Sequence, residues 1–442
     1  MPEPAECRSS EGETPIAAPP AVSDIDSEGA ARSSRVIRCV IALMLYQGFT
    51  MAILGTGASW IAQSFGLDQS GIARSFAWIS LSAFGALALS RTADRVGRRR
   101  VVLWAMAGTP LSALAAALAP GLAWLIVAAI SMYAFLGAAI AGGIVMLAEE
   151  LAIHDRARGQ SYAALAGALG AGLCIVVMPL AARSIHSWRL LLFASATFGI
   201  LLWPAMLRLM PESQRWERAA RSGAPASTSF YAIFDSAYRR RAVVVLISSL
   251  FGASAATATD SWSYFHAVSV VHLSPAVTSM LIVVSGGIGL AGFGCGSWLS
   301  ERLGRVRTVA LAWPLAAIGA LWYYWGPPAH FAWPALWLGA GFAWRSVMVN
   351  ALMVAANSAV TELFPTSLRS TIIGWLAITN ALGALISHSS IALLAGPLGG
   401  LSQVVGYLAL CGLPGAVLWA LFIDETRGMT LEAAAGESPA AG

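Results

Sequence analysis

The sequence predicts an all-α integral membrane protein, with twelve transmembrane helices arranged as two pseudo-symmetric bundles of six. Three observations lead to this fold class. The 442 residues are 57% hydrophobic and only 11% charged, with a mean hydropathy of +0.70, whereas soluble domains carry about 25% charged residues. The apolar residues form long runs. A charged loop between two of these runs recurs about half a chain later.

The apolar runs are continuous rather than alternating, which favours helices over the strands of a barrel. Each crossing needs about 20 apolar residues, so the chain has room for twelve crossings with loops and tails. The predicted helices, in chain order, are Val36–Phe65, Ile72–Ala93, Val101–Leu118, Leu122–Glu149, Gly159–Ala182, Leu190–Met210, Ala242–Val270, Pro275–Ser300, Val306–Trp325, Phe331–Leu363, Ser370–Ala395 and Val404–Ile423.

The charged loop reads SRTADRVGRRR from Ser90 to Arg100, and its second copy reads SWLSERLGRVR from Ser297 to Arg307. A bilayer core would not accept this charge, so each copy is predicted to be a short loop at a membrane surface. A loop repeated half a chain apart inside apolar sequence indicates a duplicated bundle. The aligned pairs are Asp94 with Glu301, Arg95 with Arg302, Gly97 with Gly304, and Arg98 with Arg305.

Both loops resemble the signature loop between helices 2 and 3 of the major facilitator superfamily, G-x-x-x-D-R-x-G-R-R, with serine in place of the first glycine. Three further stretches resemble its branch of sugar porters and metabolite–proton symporters: MPESQRW (Met210–Trp216), ELFPTSLRS (Glu362–Ser370) and DETRGMTLE (Asp424–Glu432). The resemblance covers nearly the whole chain after residue 35. It implies two bundles that rock about a substrate site near the midplane and expose it to each side in turn.

The polar segments predict the domain organisation. Residues 1–35 form an expected disordered cytoplasmic tail, residues 36–210 the first bundle, 211–241 a cytoplasmic linker, 242–424 the second bundle and 425–442 a cytoplasmic tail. All arginines except Arg74, Arg183, Arg189 and Arg345 fall on one side of this map. Because positive residues stay in the cytoplasm, both termini are predicted to be cytoplasmic, in a bacterial cell inner membrane.

The repeated loop predicts a gate. An acid at a helix end can cap a neighbouring helix or pair with an arginine. The resemblance implies that Asp94 grips the helix 11 region when the cytoplasmic side is shut, and that Glu301 acts likewise in the second half. The alternative is that these charges only set topology. The full set of expected gating residues is Asp94, Arg95, Gly97, Arg98, Arg99, Glu301, Arg302, Gly304, Arg305, Glu362 and Arg369.

Two charges lie well inside predicted helices: Asp260 in helix 7 and Arg345 in helix 10. They could form a structural ion pair, or Arg345 could receive an anionic substrate group while Asp260 binds a proton. Asp260 lies 6–8 residues past the midpoint of a 20-residue span beginning near Ala242, roughly 9–12 Å in height. We therefore expect the pair to be poorly matched in depth, and a substrate anion to complete the site at Arg345.

Uncharged polar residues complete the predicted substrate site. Tyr46 and Gln47 come from helix 1, Asn350 from helix 10 and Asn380 from helix 11. Trp344 either lines this pocket or belongs to an interfacial aromatic belt. His388 is a second candidate for proton coupling, because histidine titrates near neutral pH, or is a hydrogen-bonded structural residue.

The sequence predicts a transporter and not an enzyme. It has no H-E-x-x-H, G-x-S-x-G or P-loop motif and no C-x-x-C pair, so neither a cofactor nor a metal site is expected. The pI is near 9.1, but the arginines cluster in short loops, which argues against a nucleic-acid partner. We expect a monomeric secondary transporter in the lipid bilayer, moving a small anionic metabolite with a proton. The alternatives are proton-driven efflux of a drug or natural product, and a substrate sensor that no longer transports.

Overall fold

The computed structural model describes residues 22–151, 153–214, 216–217, 231–235, 238–326, 331–365 and 368–428; within them, the side chains of 22–31, 94, 153–157 and 370 lie outside the described part. In these residues, twelve helices are long and apolar enough to cross a membrane. They are helices 1 to 12 below: Arg32–Ser64, Gln69–Ala93, Arg98–Ala117, Leu122–Glu150, Arg158–Ala181, Arg189–Leu209, Arg239–Val270, Pro275–Arg302, Arg305–Tyr324, Pro334–Leu363, Thr371–Leu394 and Leu401–Phe422.

These bounds agree with the predicted helices to within a few residues at most ends. The main difference is at the N-terminus, where the first helix already begins at Val22. Arg32 on this extension donates to the Glu150 carboxylate at 2.9 Å, and the Ser33 hydroxyl donates to the Glu150 carbonyl at 2.9 Å. These contacts hold the extension against helix 4. The first helix thus extends into the segment that the sequence predicts to be a tail.

Close helix crossings at glycine hold each half together. In the N-terminal half, a Cβ at Gly48 of helix 1 would lie 1.9 Å from the Gly167 carbonyl oxygen of helix 5. In the C-terminal half, a Cβ at Gly292 of helix 8 would lie 2.2 Å from the Val347 carbonyl oxygen of helix 10. Small residues let membrane helices approach closely, which provides packing that the lipid environment does not drive by itself.

The two ends of the bundle differ in charge. The arginine-rich end carries the connections from helix 2 to 3, 4 to 5, 6 to 7, 8 to 9 and 10 to 11, and the arginine-poor end carries the others. At the arginine-rich end, the connections from helix 2 to 3 and from helix 8 to 9 are tight turns at Gly97 (φ 111°) and Gly304 (φ 104°). Residues with a Cβ rarely adopt this backbone region, so the two aligned glycines of the repeated loop have the same structural role.

Candidate functional site

A cavity of about 810 Å³ lies between the two halves. Helices 1, 2, 4 and 5 line it on one side and helices 7, 8, 10 and 11 on the other. Its walls are mostly apolar and include the rings of Phe76, Tyr133, Tyr264 and Phe342. Among the described residues, Asp260 is the one acid on these walls. A central, largely apolar cavity with few polar groups is typical of a small-molecule site.

The halves meet at the arginine-poor end. There the Gln69 side chain accepts a hydrogen bond from the Leu401 amide at 2.7 Å, and Ser269 donates to Ser59 at 2.7 Å. Helix 2 packs against helix 11 mainly through its Gln69–Ser80 segment and much less through Ser82–Val96. The cavity extends along that second segment as far as Ser90. It is therefore closed at the arginine-poor end and opens toward the arginine-rich end.

Asp260 and Arg345 form an ion pair at the edge of this cavity. The Arg345 side chain is 5% exposed, whereas that of Asp260 is 58% exposed and lines the cavity. The Arg345 guanidinium also donates to the Thr259 hydroxyl at 2.9 Å and lies 5.3 Å from the centre of the Phe342 ring. Arg345 thus lies directly behind Asp260 and Phe342, which line the cavity, and Asp260 is its counter-charge.

This contact corrects the expected mismatch in depth between the two residues. Helix 7 spans Arg239–Val270 rather than 20 residues from Ala242. Asp260 is ten residues from Val270, the arginine-poor end of helix 7, and Arg345 is eleven residues from the corresponding end of helix 10 at Pro334. At 1.5 Å per residue these are depths of about 15 and 16 Å, so the charges lie level. In this structure Arg345 is paired with Asp260, and the completion of its site by a substrate anion stays a prediction.

Helix 7 is interrupted just beyond Asp260. Its regular part ends at Ser261, and a five-residue π-turn occupies His266–Val270. The Tyr324 hydroxyl of helix 9 donates to the Thr259 carbonyl at 2.5 Å, and the Tyr323 hydroxyl donates to the Ser263 carbonyl at 2.8 Å. These bonds join the interrupted segment of helix 7 to helix 9. They also fix the turn that presents Asp260 to the cavity.

Of the other residues predicted to bind substrate, Gln47 lines the cavity. Tyr46, its neighbour, is fully buried within the N-terminal half, edge-on to Phe198. Trp344 is 40% exposed, and its indole donates to the Leu315 carbonyl at 2.8 Å. The structure places Tyr46 and Trp344 away from the cavity because adjacent residues point about 100° apart on a helix, so neighbours of Gln47 and Arg345 face elsewhere.

The two predicted asparagines also have structural partners. Asn350 donates its amide to the Gly289 carbonyl of helix 8 at 2.9 Å. The Asn380 side-chain oxygen accepts from Ser249 of helix 7 at 2.9 Å. Both bonds join helices within the C-terminal half, and neither residue lines the cavity. Polar side chains between membrane helices commonly have this bridging role.

His388 lies on the cavity wall at the seam between the halves. Its Nδ1 is 3.0 Å from the hydroxyl oxygen of Ser80 on helix 2. The imidazole is 6% exposed and stands edge-on to Phe76, with ring centres 5.6 Å apart. His388 and Asp260, the two predicted proton-coupling residues, therefore both line this cavity.

At the arginine-rich end, the N-terminal half carries a charged network. Arg98 pairs with Glu149 at 2.9 Å, and the Ser213 hydroxyl donates to Glu149 at 2.6 Å. The Glu212 carboxylate accepts from the Arg99 amide at 2.9 Å. That carboxylate caps the positive N-terminus of helix 3.

The C-terminal half repeats this network. Arg305 pairs with Glu362 at 3.2 Å, and the Thr426 hydroxyl donates to Glu362. The Glu425 carboxylate accepts from the Arg305 amide at 2.7 Å and so caps helix 9. Arg302 stacks on Trp298 at 4.8 Å and its carbonyl accepts from Arg427 at 2.6 Å.

The remaining predicted gating residues make local contacts or are not described. Arg99 donates to the Met210 carbonyl at 2.6 Å, and Arg369 donates to the Phe364 carbonyl at 3.3 Å. Arg95 and Glu301 are exposed. The side chain of Asp94 lies outside the described residues.

Sequence reasoning missed Glu212, Ser213, Glu425 and Thr426 as members of these networks. A signal was present. The interval from Glu149 to Glu362 also separates Glu212 from Glu425 and Ser213 from Thr426. The two stretches that contain them were noticed only for their likeness to one branch of a family. Comparing them with each other would have found the repeat.

Comparison with known proteins supports the same family. The family model described as "Major Facilitator Superfamily" matches residues 39–388. The chain belongs to the major facilitator superfamily. The superfamily consists of membrane transporters, which confirms the predicted resemblance, the twelve-helix fold and the assignment as a transporter rather than an enzyme.

Curated relatives and solved structures are consistent with this membership. The gallate transporter of Pseudomonas putida is 26% identical over 413 residues, covering 84% of this chain and 88% of the relative. The probable 4-methylmuconolactone transporter of Cupriavidus pinatubonensis is 26% identical over 370 residues, covering 82% and 84%. The inward-open structure of the xylose transporter XylE from E. coli aligns with a TM-score of 0.72 at 16% identity, covering 91% of this chain and 99% of that one.

Proposed function

We propose that this major facilitator superfamily protein is a symporter that takes up small organic anions, aromatic carboxylates in particular, together with a proton. The names of the two relatives above support an organic acid as substrate. The cavity supports a ring-bearing molecule, because aromatic side chains from helices 2, 4, 7 and 10 line it. Such rings pack well against a planar ligand.

The Asp260–Arg345 pair is the observation that carries the proposal. Asp260 is 58% exposed at the cavity and can receive a proton, whereas Arg345 is 5% exposed. Protonation of Asp260 would leave a buried arginine without its counter-charge, which is strongly unfavourable. An anion in the cavity can supply that charge.

Charge balance then couples the two substrates. With neither bound, the site holds one negative and one positive charge. With a proton on Asp260 and a monoanion near Arg345, it again has no net charge. Either ligand alone leaves an unbalanced charge at membrane depth, which is costly. A second cavity of about 60 Å³ borders Arg345 and Thr259.

The distribution of arginines supports an orientation with the arginine-rich end and both termini in the cytoplasm of a bacterial cell. In that orientation the cavity of this state faces the cytoplasm, and the symporter works with the inward proton gradient for uptake. The cavity is formed by helices of one chain, which supports a monomer as the working unit.

Transport by reconstituted protein tests the proposal. Proteoliposomes would be offered radiolabelled gallate, benzoate and xylose, with and without an inward proton gradient. We expect gallate or benzoate to accumulate with the gradient and a protonophore to abolish it. Accumulation of xylose but of neither acid would refute the substrate class.

Asp260→Asn separates coupling from translocation. The amide keeps the shape but binds no proton, so gradient-driven accumulation should be lost while exchange of labelled for unlabelled substrate continues. Ser261→Ala is the matched control, because Ser261 is the neighbouring residue and also lines the cavity but carries no charge. Normal accumulation by Asp260→Asn would move the proton site to His388.

A further inference from the structure

Helix 5 contains a proline close to its arginine-poor end, and this proline changes the bonding of the turn before it. Pro179 lies inside the helix, which continues to Ala181. In a regular helix the carbonyl of Ile175 would accept a hydrogen bond from the amide of residue 179, four positions later. Proline has no N–H group, so that bond is missing. The Ile175 carbonyl therefore needs a donor from elsewhere, because an unpaired backbone carbonyl at membrane depth is costly.

The donor comes from the other half of the protein. The Ser279 hydroxyl of helix 8 donates to the Ile175 carbonyl at 2.6 Å, and Ser279 is 4% exposed. Ile175 is six residues from the arginine-poor end of helix 5, and Ser279 is four residues from that of helix 8. At 1.5 Å per residue these are depths of about 9 and 6 Å. The bond thus joins the two halves near the end at which the cavity is closed.

A tyrosine on the cavity wall orients this serine. Tyr264 of helix 7 is 2% exposed and lines the cavity, as Ile175 does. Its hydroxyl oxygen lies 3.0 Å from both the Ser279 hydroxyl oxygen and the Pro275 carbonyl oxygen. Because the single hydrogen of Ser279 is used in the bond to Ile175, Tyr264 can only be the donor toward Ser279. Ser279 is thereby fixed as a donor to the opposite half.

We propose that Ser279 is a latch that stabilises the state closed at the arginine-poor end, and that Pro179 makes this latch effective. Separation of the halves at that end breaks the bond and leaves the Ile175 carbonyl to incoming water. A carbonyl already paired within its own helix would gain little from Ser279, whereas this one has no helical partner. The latch therefore favours the closed state by about one neutral hydrogen bond, roughly fivefold in population. This inference goes beyond the proposed function, because it applies whatever the substrate is.

A double-mutant cycle tests the latch. Ser279→Ala removes the donor, and Pro179→Ala restores an amide hydrogen four residues after Ile175. Spin labels on His186→Cys and Leu398→Cys, which are exposed in loops of the two halves at the arginine-poor end, report the distance between the halves. Pulsed electron paramagnetic resonance would be recorded on protein in nanodiscs, in a background without native cysteines and under conditions that populate both distances. The distance distribution gives the ratio of closed to open protein.

We expect Ser279→Ala to lower the closed-to-open ratio about fivefold. In the Pro179→Ala background the same substitution should change the ratio less than twofold, because the carbonyl then has a partner within its helix. Ser285→Ala is the matched control. Ser285 is also 4% exposed on helix 8, and it donates to the Gly339 carbonyl at 2.9 Å within its own half. Its removal should leave the ratio unchanged.

An unchanged ratio in Ser279→Ala would overturn the latch, as would an equally large effect of Ser285→Ala. A fivefold loss that persists in the Pro179→Ala background would overturn the role of the proline. The comparison of Ser279→Ala with Ser285→Ala decides whether the latch exists even if Pro179→Ala does not fold. Since the measurement uses no substrate, its failure would leave the proposed function untouched.

Discussion

The two members of the central ion pair differ in exposure, and this predicts unequal effects on stability. Removing the charge of Asp260 leaves Arg345, 5% exposed, without its counter-charge, with neutral acceptors such as the Thr259 hydroxyl beside it. Removing Arg345 leaves Asp260, 58% exposed, which the water of the cavity can hydrate. Asp260→Asn should therefore destabilise the protein more than Arg345→Gln, although each variant removes the same ion pair.

The magnitude follows from this geometry. Breaking a buried pair costs about 3–5 kcal/mol, and access of cavity water through the Asp260 side puts Asp260→Asn near the lower limit, about 3 kcal/mol. Arg345→Gln loses an interaction whose surviving partner is hydrated, at about 1 kcal/mol. The double variant has no buried charge to compensate, so it should be about 2 kcal/mol more stable than Asp260→Asn alone.

Thermal unfolding in detergent measures these differences. At roughly 2 °C per kcal/mol for a chain of this length, Asp260→Asn should melt about 6 °C below the wild type and Arg345→Gln about 2 °C below it. The double variant should recover part of the loss caused by Asp260→Asn. If Arg345→Gln is the less stable single variant, or if the two losses simply add, the pair does not have the burial asymmetry on which the coupling argument depends.

Two further predictions concern the ends of the bundle. Glu149→Gln and Glu362→Gln each remove the acid at the centre of one half's network, so both should slow transport several-fold while substrate affinity measured by calorimetry changes little; loss of binding would show that the networks support the cavity itself. A cysteine introduced at Ser187 should react with an impermeant maleimide in intact cells and one at Ser222 should not, and labelling of Ser222 would reverse the proposed orientation.

The fold was predictable because each helix is specified by a local property, the length of an apolar run. The depth of a residue within the membrane was harder to predict. The misjudged height of Asp260 came from counting 20 residues from Ala242, when helix 7 runs 32 residues from Arg239 to Val270. Nothing in an apolar run marks where it enters the bilayer. Counting residues from the arginine-poor ends of helices 7 and 10 would have placed Asp260 level with Arg345.

The candidate site was predictable only in part, for a related reason. Charged residues inside an apolar helix stand out, so Asp260 and Arg345 were found, whereas the direction of an uncharged polar residue depends on helix rotation. Gln47 faces the cavity, but Asn350 faces helix 8. Phe76 and Ser80 were missed, because in sequence an aromatic residue and a serine on a membrane helix look like ordinary lipid-facing or packing residues.

The bonds within the halves and those between them differ in kind, and this suggests how the protein changes state. At the arginine-rich end, the ion pairs among described side chains stay within one half, as Arg98–Glu149 and Arg305–Glu362 do. The described polar contacts between halves, such as Ser80–His388 and Gln69–Leu401, lie between mid-depth and the arginine-poor end and are neutral. Neutral hydrogen bonds contribute about 1 kcal/mol each, so a few of them can be exchanged for substrate contacts of similar size. We therefore propose that the charged networks keep each half rigid, while the weak neutral contacts between the halves let them separate.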